Sequence, residues 1–507
     1  MKLVKCLALS LAAIMLVSGM AQAKPNVMPV GTIRYNPEKT WNSFIILSGP
    51  RTAKLIDRNG NLVHEWDLKN GQGQPNKVYP GGYLISPIYP GFTNGYQDAN
   101  TVALMDFNGN LIRKFSRFMQ VPADTRGVNP EPDGTSWISR QHHDFQLEGS
   151  STGYYAPEAN IKLDGKMLIL AHNTVNKPKI NSLTQLHDDV IIIVDKDENI
   201  LWRWDASDHF EEFNLQNYPE AMRILGQEFH PLFPVAHGEH KGYDWFHINC
   251  ASWLGPNQWY DQGDERFHPE NIICDSRETG HMFIIDHKTG RVVWQVAPPF
   301  VGEDANLHVI GPHHTHMIPK GLPGAGNIMV FDNGGVSTYF PALNYYFSRV
   351  LEFNPVTKEI TWEYSHKTIM PGQSWGNFGD QIFFSPFISN TQRLPNGNTL
   401  ICEGSSARII EVTPELEIVW EYVSPYNYYS YMGGSVLYRA YAVPYDDVPQ
   451  LNKPLETAVV PPAFGQIVLP DVNGKLPNTI PVMDQNQGVQ PESIMPIMTP
   501  AFIKANR

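Results

Sequence analysis

Residues 54–66 read KLIDRNGNLVHEW: an apolar run entering Asp57, a polar turn through Asn59 and Gly60, then a strand that alternates apolar with polar and closes on Trp66. Asx and Gly residues between two period-two segments are the signature of a β-hairpin. The pattern returns at 103–115 (ALMDFNGNLIRKF), 192–204 (IIVDKDENILWRW), 283–296 (FIIDHKTGRVVWQV), 351–364 (LEFNPVTKEITWEY) and 410–422 (IEVTPELEIVWEY). Six copies of one hairpin mark a repeat fold rather than a string of unrelated domains.

A second recurrent pair lies between several of these hairpins, its later strand opening on a Gly or Asn turn: 164–172 (DGKMLILAH), 271–277 (NIICDSR), 326–333 (GNIMVFDN) and 396–403 (NGNTLICE). Two hairpins make four strands. The expected fold is therefore all-β, a six-bladed β-propeller with four-stranded blades whose closing aromatics pack between units. Segment 430–445 (SYMGGSVLYRAYAVPY) is expected to return a strand that closes the ring, because an open ring would expose sheet edges. Residues 448–507, rich in Pro, Asn and Gln, read as an irregular C-terminal tail, wrapping the propeller or partly disordered. Helical patterns are confined to loops such as 208–225.

Lys2, Lys5, an apolar run over 7–20 and the triplet Ala21-Gln22-Ala23 read as a secretory signal over 1–23. The propeller then spans 24–447 of an exported, periplasmic chain. No later run approaches the roughly 18 apolar residues of a membrane-spanning helix, so no membrane span is expected. Losing Lys2 and Lys5 makes the formal charge of −13 more negative still, which argues against nucleic acid or an anionic membrane as partner. An anionic substrate must then be held by local donors. Of the 4 cysteines, Cys6 leaves with the signal, and Cys250 and Cys274, on adjacent strands, are the pair placed for a disulfide; three buried thiols are the alternative.

Aligning the inner hairpins on their turns brings His143, His247 and His314 to one equivalent position, with Asn390 as its counterpart in a fourth copy. The first strand of each propeller blade lines the central channel, so such positions converge on the axis. Ends of the second strands add His172, Arg277 and Asn333. Imidazoles with a guanidinium suit an anion site. His142, His313 and His316 are less well placed, since neighbouring strand positions face opposite ways, although His316 shares the face of His314. Asn333, Asn390 and His316 are taken as substrate-binding candidates.

The histidines also admit a metal-dependent hydrolase. Against it, no HExxH, CxxC or close carboxylate set accompanies the three strands, and Arg277 opposes a dication, so neither metal nor other cofactor is expected. A non-catalytic propeller that binds anionic aromatics is a further alternative. Neither a G-x-S-x-G elbow nor a phosphate-loop lysine is present.

Four segments, HHDF at 142–145, DWFHIN at 244–249 with Ser276 and Arg277 downstream, HHTH at 313–316 followed by VFDNG at 330–334, and YFSRVLEF at 346–353, resemble in content and order the bacterial arylsulfate sulfotransferases. The resemblance implies a six-bladed propeller that moves a sulfuryl group from a phenolic sulfate ester to a phenol, ping-pong, through a covalent sulfohistidine and without a nucleotide donor. It further implies His314 as nucleophile, His247 and Arg277 as ligands of the sulfate oxygens, and His143, with His142 as the other choice, as the remaining active-site histidine. The partners expected are thus small phenols and aryl sulfates.

The chain departs from that family in having no small N-terminal β domain before about residue 43, which leaves its oligomeric state open, and no disulfide loop before His314. It also carries a long loop at 255–270 (GPNQWYDQGDERFHPE), expected to reshape the channel mouth, with Trp253, Trp259 and Tyr260 as rim aromatics.

Overall fold

A computed structural model describes residues 30–461 of the 507, apart from 50, 70, 72–74, 91–97, 123–130, 232–241, 336, 366–382 and 427–435. The signal segment, residues 430–435 of the expected closing segment and the tail beyond 461 lie outside the described residues.

The six repeat hairpins form as the turn chemistry dictates. Each turn begins with a residue whose side-chain oxygen accepts a backbone N–H a few positions on: Asp57 from Asn61 (2.9 Å), Asp106 from Asn110 (2.8 Å), Asp195 from Asn199 (2.9 Å), Asp286 from Thr289 (2.7 Å), Asn354 from Thr357 (3.0 Å) and Thr413 from Glu417 (3.3 Å). These side chains satisfy donors the turn would otherwise leave open. All six ladders slip register at the residue just before the turn, from Leu55/Ile56 to Glu411/Val412. One repeated sequence thus produces one repeated bulge.

The strands assemble into an all-β, propeller-like array. Among the described residues three four-stranded sheets, one five-stranded sheet and a two-stranded pair, Met119–Pro122 with Thr135–Ile138, stand separately, and a nine-stranded sheet joins two further sets through the single pair Gln141–Ala99. Strand Ala440–Val443 pairs with Phe44–Gly49, so a late strand completes the first sheet, as expected of segment 430–445. An unanticipated strand, Gly31–Tyr35, adds to the edge of the last sheet against Ile418–Val423, and Val459 bridges back to Tyr35.

The outer strands also link each hairpin to the next one's turn. Trp66 Nε1 donates to the Asp106 carbonyl (3.0 Å), Arg113 to Asp195 (2.8 Å), Trp204 to Gly290 (2.9 Å), Trp294 to Pro355 (2.8 Å), Trp362 to Pro414 (3.0 Å), and Trp420 returns to Arg58 (2.7 Å). Burying these indoles both removes apolar area from water and satisfies a carbonyl, which is why tryptophan recurs there. Apolar clusters fill the spaces between sheets, for instance Leu168, Leu170 and Ile191 against Phe246, Phe283 and Ile285.

The segment around 206–225 holds only short helical turns, among them Ala206–Phe213 and Pro219–Leu225. No helix among the described residues is long and apolar enough to cross a membrane.

The cysteines depart from expectation, because Cys250, Cys274 and Cys402 are all free and buried. In the ladder Cys250 stands opposite Asp275 and Cys274 opposite Ala251. The two sulfurs therefore leave opposite faces of the sheet, Cys250 toward Asp275 and the Thr315 carbonyl and Cys274 into the apolar cluster, and no bridge spans that separation.

Candidate functional site

His143, His247 and His314 share a rare backbone. Each sits at positive φ, +54°, +57° and +54°, at the start of its inner strand. Non-glycine residues seldom adopt this region, so its recurrence at one repeat position is a feature that the surrounding ladders enforce. The ladders slip there, between Gln141 and Phe145, between Ile248 and Cys250, and between His313 and His316. Strict alternation consequently fails at these sites. Alternation alone therefore does not set where His142 and His313 face: His142 lies against His143 and His172, and His313 against Asn333 and the Ile388 amide.

The structure brings His143 and His247 together, ring centroids 4.6 Å apart. His143 Nδ1 shares a hydrogen bond with His142 Nδ1 (2.7 Å), and His247 Nδ1 one with Asp244 Oδ2 (2.5 Å). The Arg277 amide donates to the His247 carbonyl (3.1 Å), and its guanidinium pairs with buried Glu278. His314 faces His316 (4.6 Å) and Tyr441 (5.6 Å), with Nε2 3.4 Å from Tyr441 Oη and Nδ1 without a hydrogen-bond partner. Asn249 ties the strands of His247 and His314, its amide group donating to the Pro312 carbonyl (2.7 Å) and accepting from the His314 N–H (3.4 Å).

Residues 438–441 form a hub that the sequence reading passed over. Tyr438 Oη donates to the carbonyls of His143 (3.2 Å) and Asn249 (3.3 Å). Arg439 donates to the Asn249 carbonyl (2.5 Å) and to Asp144 (3.1 Å), which Lys77 also engages (2.8 Å). Three polar side chains, Tyr438, Arg439 and Tyr441, in and just before the otherwise small and apolar strand Ala440–Val443 were the available signal.

Asn333 and Asn390, read from the sequence as substrate-binding candidates, both hold protein partners. Asn333 accepts from or donates to no open space: Oδ1 meets His313 Nδ1 (2.7 Å) and Nδ2 the carbonyls of Ser385 (2.5 Å) and Ile388 (2.9 Å). Asn390 exchanges both its amide atoms with Ala440, 2.9 Å each, and stitches the last sheet to the first. His316 Nδ1 bonds the His314 carbonyl (2.8 Å) and supports that bulge.

Loop 255–270 also lies away from its expected place. It joins the far ends of strands Ile248–Trp253 and Ile272–Ser276, a strand length of roughly 16 Å from His247 and Arg277. There Trp259 Nε1 donates to the Gly326 carbonyl (2.6 Å), and Trp253 lines a cavity of about 560 Å³ that none of the four predicted catalytic residues borders. A hairpin's turn is always at the opposite end from its open termini, so this loop and the histidines occupy opposite faces.

Burial lowers His143, His313, His314 and His316, which are therefore neutral. It holds His314 well below its ordinary value, reinforced by Arg439, His316 and Lys77, and does the same to His143 with help from His247 and His142. His313 is lowered by burial and Arg277, and His316 falls to about 4. Burial raises Asp244, but His247 beside it, then His172 and Arg277, bring it well below the carboxylate range. The buried cations are each matched by a carboxylate, Arg277 by Glu278, Arg439 and Lys77 by Asp144, and Arg140 by Asp98. The arrangement thus offers neutral, unprotonated imidazole nitrogens among N–H and O–H donors, which suits attack on an electron-poor centre.

A family model described as Arylsulfotransferase (ASST) matches residues 140–422. No curated protein matches in sequence. Similar solved structures include a protein of unknown function from Bacteroides caccae (10% identity, 79% of this chain and 98% of that one, TM-score 0.40). They also include a streptogramin B lyase (11%, 80% and 86%, 0.34). A third is the Cps50 (Swd1) β-propeller domain of Myceliophteria thermophila (8%, 80% and 90%, 0.35).

Proposed function

This chain belongs to the arylsulfotransferase family, and from that premise we propose that it is a periplasmic enzyme moving a sulfuryl group between phenols through a sulfohistidine, without a nucleotide donor. The observation that carries the reading is the triple recurrence of a left-handed histidine at the head of an inner strand, at 143, 247 and 314. The propeller in this reading has six blades over residues 24–447, followed by the tail 448–507. The ring of six outer hydrogen bonds supports that count, with the nine-stranded sheet divided at its single linking pair.

Sulfuryl transfer resembles phosphoryl transfer in its loose, in-line transition state, so positioning and donors to the peripheral oxygens supply most of the rate. A neutral His314 nitrogen attacks sulfur as the bond from sulfur to the aryl oxygen breaks. The departing phenolate keeps the electron pair and accepts a hydrogen bond from the neutral His143 ring. His247 and Arg277 hold the sulfate oxygens. An acceptor phenol then attacks the same sulfur as its proton passes to His143 and on to the released phenolate, which frees His314 and completes a sulfate ester.

Turnover of 4-nitrophenyl sulfate by the purified chain tests this, followed as nitrophenolate release with and without added phenol. Release that rises with phenol, together with protein labelled by a 35S sulfate ester and unlabelled in His314→Asn, is the expected result. Equal labelling of His314→Asn would remove His314 from the nucleophile's role.

A further inference from the structure

Behind His143, three buried side chains that the transfer leaves unused converge on one point. His142 Nε2 lies 3.3 Å from Asp189 Oδ1, and His172 Nε2 lies 3.8 Å from the same oxygen. The two imidazoles stack in parallel, centroids 3.5 Å apart and planes 6° apart. The three donor atoms lie within 4.8 Å of one another, and all three side chains are at most 1% exposed.

Their polar atoms are oriented but unmatched. His142 Nε2, His172 Nε2 and both Asp189 oxygens make no close hydrogen bond, with the backbone amides of His247 and Ile248 acting on Asp189. Burial raises Asp189 well above the carboxylate range, so it stays charged only if something positive sits against it.

The other ring nitrogens are already held. His172 Nδ1 bonds Asp98 Oδ1 (2.6 Å), whose second oxygen takes Arg140 Nε (2.7 Å), and His142 Nδ1 bonds His143 Nδ1 (2.7 Å). A carboxylate behind one imidazole, with the opposite nitrogen free, is the arrangement that orients metal-ligating histidines.

We propose that His142, His172 and Asp189 bind a first-row divalent cation, zinc foremost, beside the transfer site. Bonds of 2.0–2.1 Å in tetrahedral geometry require donors about 3.3–3.4 Å apart, against 3.3 Å and 3.8 Å from the Asp189 oxygen to the two imidazole nitrogens, and the stacked rings must tilt apart for both lone pairs to meet one ion. The ligands come from three adjacent strands of one sheet, Gln141–Leu147, Met167–Val175 and Leu186–Val194, with His172 directly opposite Asp189 in the ladder, so the frame is rigid. Asp98 offsets the charge of Arg140, and Asp244, whose Oδ1 is also buried and unpartnered, adds negative charge that acts on all three ligands. The sequence reading missed this set because Asp189 lies on the third strand of its sheet, outside the inner strands where carboxylates were sought. A cation on Nε2 of His142 places that ring's proton on Nδ1, so His142 donates to His143 and fixes the orientation of its ring.

The test is metal content by inductively coupled plasma mass spectrometry on the purified chain, before and after loading with zinc and desalting. The expectation is about one equivalent per chain, and a cobalt-loaded sample with the visible absorption of a tetrahedral site. Asp189→Asn, of equal size, is expected to lower occupancy at least tenfold; if that variant does not fold, His172→Gln is read instead. Folded protein that retains no zinc or cobalt after loading would overturn the site, as would full occupancy in folded Asp189→Asn. The readout involves no sulfate ester, so it stands or falls apart from the transfer reading.

Discussion

Trp420 Nε1 donates to the Arg58 carbonyl at 2.7 Å across 362 positions of chain. It is the last in a series of six such bonds, and the one that joins the final hairpin to the first. The Arg58 guanidinium lies 4.7 Å from the Trp420 ring and pairs with Glu411 at 2.9 Å, so both side chains are fully enclosed.

Trp420→Ala should therefore lower stability by about 3–5 kcal/mol through the lost burial, while Trp420→Phe, which keeps most of the ring, should cost about 1 kcal/mol for the hydrogen bond. Urea midpoints of the two variants check this. Equal midpoints would mean that closure depends little on Trp420.

Positive φ at His143 makes a distinction that contacts alone do not. Asparagine adopts this region far more readily than alanine, so His143→Asn should be more stable than His143→Ala by roughly 1 kcal/mol. Both should be slow in phenol-dependent turnover. Thermal unfolding separates the backbone effect from the catalytic one.

Acid should unfold the protein early. Burial lowers His281 and His316 to about 4, against 6.5 for an unfolded histidine. Between those values the unfolded chain binds protons that the folded one does not, so stability is complete above about pH 6.5 and falls as the pH drops toward 4. Each such group steepens the decline by up to about 1.4 kcal/mol per pH unit. Urea unfolding at pH 7.5, 6.0 and 5.0 measures the slope, and His281→Gln should reduce it by one group's share.

The chain from residue 24 onward should yield three thiol equivalents to Ellman's reagent after denaturation and almost none before. Cys250, Cys274 and Cys402 are buried, and burial raises each thiol well above its ordinary value. Reductant should leave the unfolding temperature unchanged. A lower thiol count would reinstate a bridge.

Asn390→Ala should cost about 2–3 kcal/mol, because it strips partners from the buried N–H and C=O of Ala440. KM for the aryl sulfate should stay as it is. A rise in KM with unchanged stability would return Asn390 to the substrate.

The repeated hairpins were legible because their information is local. A side chain that caps a turn within four residues, as Asp57 does for Asn61, and an alternation of period two are written in consecutive positions. The equivalence of His143, His247 and His314 was legible for the same reason, once the repeats were aligned. Facing direction was not: the bulges at His142 and His313 depend on ladders formed with distant strands. The same ladders place Cys250 and Cys274 on opposite faces, although both lie on the adjacent strands that the sequence pointed to.

Sequence by itself determined that this chain builds hairpins in a repeating series, with histidines at one position of the repeat, since turns and periodicity act between near neighbours. Only the tertiary structure decided what those histidines meet. Asp189 reaches His142, Tyr441 reaches His314 and Arg439 reaches Asp144 over separations that no local pattern encodes, because convergence on an axis depends on how whole sheets pack around it.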